Sequence, residues 1–139
     1  MIILDTNVLS ELIRPNPDRV VVGWVSSRPS SSLFTTTVTE AEILYGLYLM
    51  PPGKRHRDLE EAIRDMFAID LAGRVLPFDE ASAYAYADIA VSRRQAGQPI
   101  TQFDAQIAAI ARSRDASVAT RNVSDFEGCG IDVINPWQG

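Results

Sequence analysis

The sequence predicts an α/β fold, a three-layer sandwich in which helices cover both faces of a parallel sheet. Short apolar segments such as Ile2-Ile3-Leu4 alternate along the chain with longer segments whose apolar residues recur at helical spacing. This alternation is typical of parallel sheets, whose strands are buried on both faces. The chain has 139 residues, of which 46% are hydrophobic and 22% charged. We therefore expect residues 1–139 to form a single domain with its own core.

The strands are predicted from short runs of apolar and β-branched residues, which favour extended structure. Turn-forming segments bound these runs, as Arg28-Pro29-Ser30-Ser31-Ser32 does before the second strand. The predicted strands cover residues 2–4, 33–36, 74–78, 117–120 and 132–134.

The helices are predicted from apolar residues three and four positions apart and from capping and breaking residues at their ends. Thr6 or Asn7 caps the first helix. Asp79 caps a long helix that Gly97 ends, and Thr101 caps the helix after it. The predicted helices lie at about residues 6–13, 18–27, 37–50, 55–71, 80–96 and 102–114.

The net charge of −5 argues against a stand-alone DNA-binding domain, because such domains are usually basic. Any contact with nucleic acid is expected to be local and assisted by metal ions that mask the carboxylates. No apolar run approaches the about 20 residues of a membrane-spanning helix, and Asp5 interrupts the first apolar segment, so neither a signal peptide nor a membrane contact is expected. The single cysteine, Cys129, cannot form an internal disulfide, which fits a cytoplasmic protein.

Asp5 directly follows the first predicted strand and precedes a helix. A carboxylate in this position is a good helix N-cap, and taken alone the capping role is the simpler interpretation. Ligands of open α/β sheets bind beyond the carboxyl ends of the strands. The same position therefore also presents Asp5 for chemistry, and the two roles are compatible.

Two further acids, Glu42 and Asp104, lie near the starts of predicted helices. Glu42 is favourable to the helix dipole as a solvent-facing acid. The nearby Gly46 costs its helix about 1 kcal/mol relative to Ala, so a packing reason for this glycine is expected. The predicted reason is the close approach of another backbone beside Glu42. Asp104 can complete a capping box with Thr101, but the residues that follow it are apolar nearly all round the helix. An acid in the first turn of a buried helix is a better ligand candidate than an acid on a solvent-exposed helix face.

Asn122 and Asp125 lie in a turn directly after the fourth predicted strand, and both residue types are common in turns. A parallel sheet nevertheless gathers this turn, Asp5 and the two helix-borne acids at one edge. Crowded carboxylates repel one another unless a cation shares them, and hard oxygen ligands favour Mg²⁺ or Mn²⁺. Such a site activates water and stabilises the charge that develops on a phosphodiester during in-line attack.

Other reactive residue types are scarce. His56 is the only histidine and lies in the basic segment Lys54-Arg55-His56-Arg57. A solvated position is expected for it, which argues against a Ser–His or Cys–His mechanism. Cys129, between two glycines, is expected to be a small turn residue. The basic segment and Arg93-Arg94 are expected on the solvated surface, where they can also attract a phosphate backbone.

Five groups of residues, in a fixed order along the chain, carry a family resemblance. They are Leu4-Asp5-Thr6-Asn7, Thr39-Glu40-Ala41-Glu42 with Gly46, Asp104 with Ile107-Ala108-Ala109, Ala119-Thr120-Arg121-Asn122 with Asp125-Phe126, and Asn135-Pro136-Trp137. This ordered set resembles the PIN-domain toxins, in the VapC and FitB-like branch of type II toxin–antitoxin systems. The resemblance covers essentially the whole chain, and the set is far more specific than any one motif.

The resemblance implies a five-stranded parallel sheet between helices and an endoribonuclease that depends on Mg²⁺ or Mn²⁺. Asp5, Glu42 and Asp104 match the three core acids of the family, which implies that they are catalytic and bind the metal. Where family members often carry a fourth acid, this chain has Asn122, and Asp125 follows three residues later. Either Asn122 as a metal ligand or Asp125 as a further catalytic acid is expected to complete the site.

The resemblance also concerns supporting residues and partners. Thr6 and Thr120 have hydroxyl groups suited to orient the metal ligands. A homodimer is implied, neutralised by a cognate antitoxin protein, with operator DNA bound only through that antitoxin. The surface that the antitoxin covers is expected to include Trp24, Tyr45 and Tyr48, although core positions suit these side chains equally well.

Two other functions are compatible with the sequence. The first is a catalytically silent PIN-like module that binds an antitoxin partner and contributes to operator DNA binding, which Asn122 favours. The second is an aspartyl phosphotransferase with Asp5 as the nucleophile. It is disfavoured because such an enzyme normally carries a second acid two residues on, where this chain has Asn7.

Overall fold

The computed structural model describes all residues, 1–139. Its strands are all parallel and form one five-stranded sheet with the order β3-β2-β1-β4-β5. They are β1 (Ile2–Leu4), β2 (Leu33–Thr36), β3 (Val75–Leu76), β4 (Ser117–Ala119) and β5 (Val133–Ile134). The predicted α/β class with a five-stranded parallel sheet is confirmed.

Six α-helices connect and follow the strands. They are α1 (Thr6–Leu12), α2 (Arg19–Ser26), α3 (Thr37–Leu49), α4 (Lys54–Asp65), α5 (Glu80–Gln95) and α6 (Gln102–Ser113). Polar side chains that accept a backbone N–H of the first turn cap five of these helices: Asp5, Asp18, Thr36, Asp79 and Thr101. Such bonds satisfy donors that the helix itself leaves unpaired. None of the helices has the length and apolar character needed to cross a membrane.

Helices pack on both faces of the sheet and give two cores. Successive residues of a strand point to opposite faces, so the fully buried Ile3 and Leu4 belong to different cores. On the first face Ile3 packs with residues of α5 and α6, such as Ile89 and Ile107. On the second face Leu4 packs with residues of α1 to α4, such as Val8. The three-layer arrangement is therefore confirmed.

The strand order creates a crevice at the carboxyl ends of β1 and β4. From β1 the chain first builds the sheet in one direction, through β2 and β3, and then continues on the other side of β1 with β4 and β5. The position where the order reverses is where open α/β sheets bind ligands. Asp5 follows β1 and Thr120 follows β4, so both lie at this crevice.

Three elements differ from their predictions. Of the two predictions for the N-cap of α1, Asp5 is confirmed and Thr6 or Asn7 is wrong, because the Asp5 carboxylate accepts the first N–H of the helix. The helix predicted over 55–71 consists of α4 and a π-helical segment, Met66–Asp70. The Leu71 N–H donates to the Met66 carbonyl at 2.9 Å, and this wider turn brings Leu71 into the core. Strand β3 is shorter than the predicted 74–78, which includes a proline that cannot donate to the ladder.

Candidate active site

Asp5 is buried at the end of β1, with only 5% of its surface exposed. Its Oδ1 accepts a hydrogen bond of 2.8 Å from the Thr6 N–H, which caps α1. Its Oδ2 accepts a hydrogen bond of 2.8 Å from the Thr120 hydroxyl. Asp5 therefore caps the helix and at the same time holds its carboxylate at the crevice between β1 and β4.

A polar network joins the ends of β1 and β4 around Asp5. The Asn7 side-chain amide donates to the Thr120 hydroxyl oxygen at 3.2 Å, and the Asn7 carbonyl oxygen accepts from the Arg121 N–H at 3.2 Å. Thr120 also accepts from the Asn122 N–H at 3.1 Å. Sequence reasoning assigned Asn7 no role in the site, although Asn7 belongs to the motif Leu4-Asp5-Thr6-Asn7 that carries the family resemblance.

Glu42 reaches the same end of the sheet from the second turn of α3 and is half-buried. The Thr6 hydroxyl donates a hydrogen bond of 2.9 Å to its Oε1. The Thr39 hydroxyl lies 3.3 Å from the Thr6 hydroxyl and packs into the same contact. Thr6 thus binds Glu42 as Thr120 binds Asp5, so each of these two threonines holds one acid of the crevice.

Asp104 is half-buried in the first turn of α6. Its N–H donates to the Thr101 hydroxyl at 3.3 Å, which is the predicted N-cap bond. The prediction that α6 is buried is confirmed, because Ala105 and the five residues 107–111 have at most 1% of their surface exposed. Asp104 therefore marks the solvent end of a buried helix.

Asn122 and Asp125 lie in the turn after β4, and both are exposed. The turn continues as a short 3-10 helix, Val123–Phe126, whose Phe126 side chain is buried in the core below. Asn122 is held through its backbone, by the bond to Thr120. The negative charge of Asp125 is close enough to Asp104 to raise the pKa of the Asp104 carboxyl.

The site is electrostatically unfavourable for negative charge. Burial is the main reason that the pKa of Asp5 is raised from 3.8 to about 6. Hydrogen bonds from Thr120 and Thr6 oppose this rise, and the negative charges of Asp104 and Glu42 add to it. The pKa of Glu42 is likewise raised, first by burial and then by the charge of Asp104.

The pKa of Asp104 is raised for the same reasons, first by burial. The Asp125 charge raises it further, whereas the Thr101 hydrogen bond and the Arg93 charge lower it. The ion pairs of the structure include none of Asp5, Glu42 and Asp104. These three acids therefore influence one another without a cationic side chain that binds any of them.

The donor set of the crevice fits a hard divalent cation in its chemistry. Every candidate ligand offers oxygen, which Mg²⁺ and Mn²⁺ prefer, and a bound cation would favour the charged form of these carboxylates. No three acidic, histidine or cysteine side chains converge closely enough to hold a metal ion as they stand. The predicted acids therefore share one crevice, but their side chains do not form a closed ligand set.

A cavity of about 730 Å³ opens beside Glu42, between α1, α3 and α4. Gly46 lines it, and a Cβ atom at this position would meet no atom within 4 Å. The predicted packing of another backbone against Gly46 is therefore wrong, because the glycine borders open space. Arg14, Lys54 and Arg55 line the same cavity as Glu42. Arg14 is paired with Glu11 at 3.1 Å and Lys54 with Asp58 at 2.7 Å.

Three basic or reactive residues lie deeper than the sequence predicts. Arg93 is only 8% exposed, so a solvated position for it is wrong. The helical spacing from the buried Ile89, four residues earlier, is the signal that places Arg93 on the inner face of α5. Cys129 lies in the predicted turn but is buried against Arg93, and His56 is half-buried.

The three aromatic residues expected at a partner surface have different positions. Trp24 is only 5% exposed, in the core that α1 to α4 share, and the Arg28 guanidinium lies 4.1 Å from its ring centroid. An exposed position for Trp24 is therefore wrong. Tyr45 and Tyr48 are 68% and 70% exposed on α3, so they are available at the surface.

Comparisons with known proteins agree with this arrangement. Residues 2–127 match the PIN domain family. The chain is 42% identical over 138 residues to the VapC ribonuclease Y4jK of Sinorhizobium fredii, which covers 99% of both proteins. It is 40% identical over 141 residues to the toxin FitB of Neisseria gonorrhoeae, again over 99% of both. Among solved structures, FitAB bound to the IR36 DNA fragment contains a similar chain, with a TM-score of 0.92, 39% identity, and coverage of 99% of this chain and 96% of that one.

Proposed function

Because the chain belongs to the PIN-domain family, in the branch of the VapC ribonucleases and the toxin FitB, we propose that it is the toxin of a type II toxin–antitoxin pair and cleaves RNA with Mg²⁺ or Mn²⁺. The observation that supports this most is the crevice between β1 and β4. There Asp5 is buried and its pKa is raised, first by burial and further by the charges of Asp104 and Glu42. No cationic side chain is bound to it.

In the proposed site Asp5, Glu42 and Asp104 hold the metal ion, and Asn122 or Asp125 supplies a further oxygen. A divalent ion bound there supplies a Lewis acid that activates water and stabilises the charge developing on a phosphodiester. The other contributions come from the chain itself. Thr120 and Thr6 fix the carboxylates of Asp5 and Glu42 through hydrogen bonds of 2.8 and 2.9 Å, which preorganises them as ligands.

The basic residues beside the crevice support a polyanionic substrate. The chain has a net charge of −5, so RNA must be attracted locally rather than by the whole surface. Arg14, Lys54 and Arg55 line the cavity that also contains Thr6 and Glu42. In the proposed complex these side chains contact phosphates on one side of the scissile bond.

The proposed partner is an antitoxin that holds the ribonuclease inactive in the cytoplasm. The exposed Tyr45, Tyr48 and Leu49, each at least 68% exposed at the end of α3, offer an apolar surface of the kind that partners cover. A similar chain occurs in the DNA-bound FitAB structure, whereas this chain is acidic, so we assign operator DNA binding to the antitoxin. We propose a homodimer as the toxin's own assembly.

The substitution Asp5→Asn tests the proposed activity. Asn retains the shape and can cap α1 but removes the buried charge, so we expect metal-dependent cleavage of RNA and growth inhibition to be lost. Asp132→Asn is the matched control, because Asp132 is exposed and precedes β5 at the opposite edge of the sheet, and this variant should cut RNA as the wild type does. Cleavage by folded Asp5→Asn protein at the wild-type rate would disprove the site.

A catalytically silent module that binds an antitoxin remains a second candidate, because Asn122 takes the place of an expected acid. Calorimetric titration with Mn²⁺ separates the two. The ribonuclease should bind Mn²⁺ in a manner that depends on Asp5 and Asp104, whereas a silent module should show no such binding. Assays of RNA cleavage in the same buffer then decide whether the bound ion supports turnover.

A further inference from the structure

Arg93 is a buried arginine whose guanidinium binds backbone carbonyls instead of a carboxylate. It lies on α5 and is 8% exposed. Its Nη1 donates to the carbonyl oxygens of Asp125 at 2.9 Å and Glu127 at 2.8 Å. Its Nε donates to the carbonyl oxygen of Gln98, just beyond the end of α5, at 2.7 Å. A buried charge is costly unless it is hydrogen-bonded. Here the guanidinium has three carbonyl acceptors and a longer contact of 3.9 Å to the Cys129 sulfur.

Two of these acceptors belong to the turn that carries the unsettled fourth position of the site. The backbone bonds within this turn are local, from Asp125 N–H to Asn122 and from Glu127 N–H to Ser124. Such bonds shape the turn but do not fix its position on the domain. The Thr120 hydroxyl holds the start of the turn through the Asn122 N–H, and the buried Phe126 side chain and Arg93 hold the part that carries Asp125.

Arg93 also lies near Asp104, one of the acids of the site, but forms no ion pair with it. The short helix Val123–Phe126, which carries Asp125, packs against α6, which carries Asp104. The charge of Arg93 lowers the pKa of Asp104, and the charge of Asp125 raises it. No carboxylate forms an ion pair with Arg93. Its donors are directed to carbonyls, which leaves the carboxylate oxygens of Asp104 and Asp125 available to a cation.

We propose that Arg93 is a positioning residue of the metal site: it binds the turn 122–127 to α5 and so keeps Asp125 beside α6, which carries Asp104. This assigns the fourth position to Asp125 rather than Asn122, and it rests on the proposed metal-dependent function. Arg93 itself contacts neither substrate nor metal. Its effect on the site passes through the backbone of Asp125.

The test is calorimetric Mn²⁺ affinity of the full chain with Arg93→Lys. Lysine keeps the charge but lacks the planar fork that reaches several carbonyls at once, so Mn²⁺ should bind roughly 10–100-fold more weakly, as for other residues that orient ligands. Arg94→Lys is the matched control, because Arg94 is exposed on the same helix, and its affinity should equal that of the wild type. A merely structural role would lower Tm but leave Mn²⁺ affinity of the folded protein unchanged, and that result would overturn the proposal.

Asp125→Asn supplies a second test on an exposed residue. It should weaken Mn²⁺ binding by a similar factor, and adding Arg93→Lys should cause little further loss, since both changes act on one interaction. Unchanged affinity of Asp125→Asn, additive losses, or failure of Arg93→Lys to fold would each overturn the proposal. If the wild type binds no Mn²⁺ at all, or binds it independently of Asp5, the proposed function fails as well. Asp5-dependent binding together with an unaffected Arg93→Lys variant rejects only the role of Arg93.

Discussion

The Thr120 hydroxyl donates a hydrogen bond of 2.8 Å to Oδ2 of Asp5, which lies 115 residues away in the sequence. The bond joins the ends of β1 and β4 at the position where the strand order reverses. A hydrogen bond to a carboxylate favours its charged form, whereas burial favours the neutral form. Thr120 therefore limits how far the pKa of Asp5 rises, and it controls the charge of the crevice as well as its shape.

Thr120→Val should raise the pKa of Asp5 further and destabilise the fold. The variant removes the donor to Asp5 and the acceptor of Asn7 and Asn122, and buried groups left without partners cost about 1–3 kcal/mol. Carboxyl NMR titration and urea unfolding measure the two effects. Thr37→Val, at an exposed position, should change neither, and an unaltered Asp5 pKa in Thr120→Val would contradict the role of this bond.

Asp5→Asn should stabilise the metal-free protein above pH 7. The pKa of Asp5 is about 6 in the folded protein and 3.8 as its reference value, so between these values the folded state binds more protons than the unfolded state. Wild-type stability therefore falls as pH rises from about 4 to 6. The full difference corresponds to about 3 kcal/mol, at about 1.4 kcal/mol per pKa unit. The test is the free energy of unfolding of the variant and of the wild type, measured with a chelator at pH 4 and pH 8. A stabilisation of the variant over the wild type that is larger at pH 4 than at pH 8 would contradict this prediction.

Gly46→Ala should raise the free energy of unfolding by about 0.5–1 kcal/mol, because Ala has a higher helix propensity than Gly and a Cβ at this position meets only the cavity. Gly23→Ala on α2 is the matched control, since its Cβ also meets no atom within 4 Å, and it should give a similar gain. Chemical denaturation measures both. Destabilisation by Gly46→Ala alone would show that a close backbone contact does exist there.

Truncation of Trp24 should destabilise the fold strongly, whereas truncation of Tyr48 should leave its stability nearly unchanged. Trp24→Ala removes a buried ring from the core and should cost about 3–5 kcal/mol. Tyr48→Ala removes an exposed ring and should change stability by no more than about 0.5 kcal/mol. Thermal unfolding of the isolated chain measures both effects. A large loss of stability for Tyr48→Ala would mean that its ring packs within the fold and is not available to a partner.

Local signals were sufficient to predict most of the architecture from the sequence. The caps Asp79 and Thr101 are at the predicted positions, because capping depends only on residues one to three positions apart. The apolar residues nearly all round α6 likewise predicted its burial. The errors occurred where the same local pattern allows two outcomes. A glycine in a helix borders either a close neighbour or open space. The prediction that both Arg93 and Arg94 are solvated overlooked the helical spacing from Ile89 to Arg93.

The sequence by itself determined which elements form, in which order, and that Asp5, Glu42 and Asp104 come at strand ends and helix starts. Only the tertiary structure decided which side chains serve these acids: Thr6 binds Glu42 over 36 residues, and Thr120 binds Asp5 over 115. It also decided that Arg93 turns inward to bind the loop of Asp125. The reason is physical, since propensity and periodicity act over a few neighbouring residues, whereas these contacts depend on which helix packs against which strand.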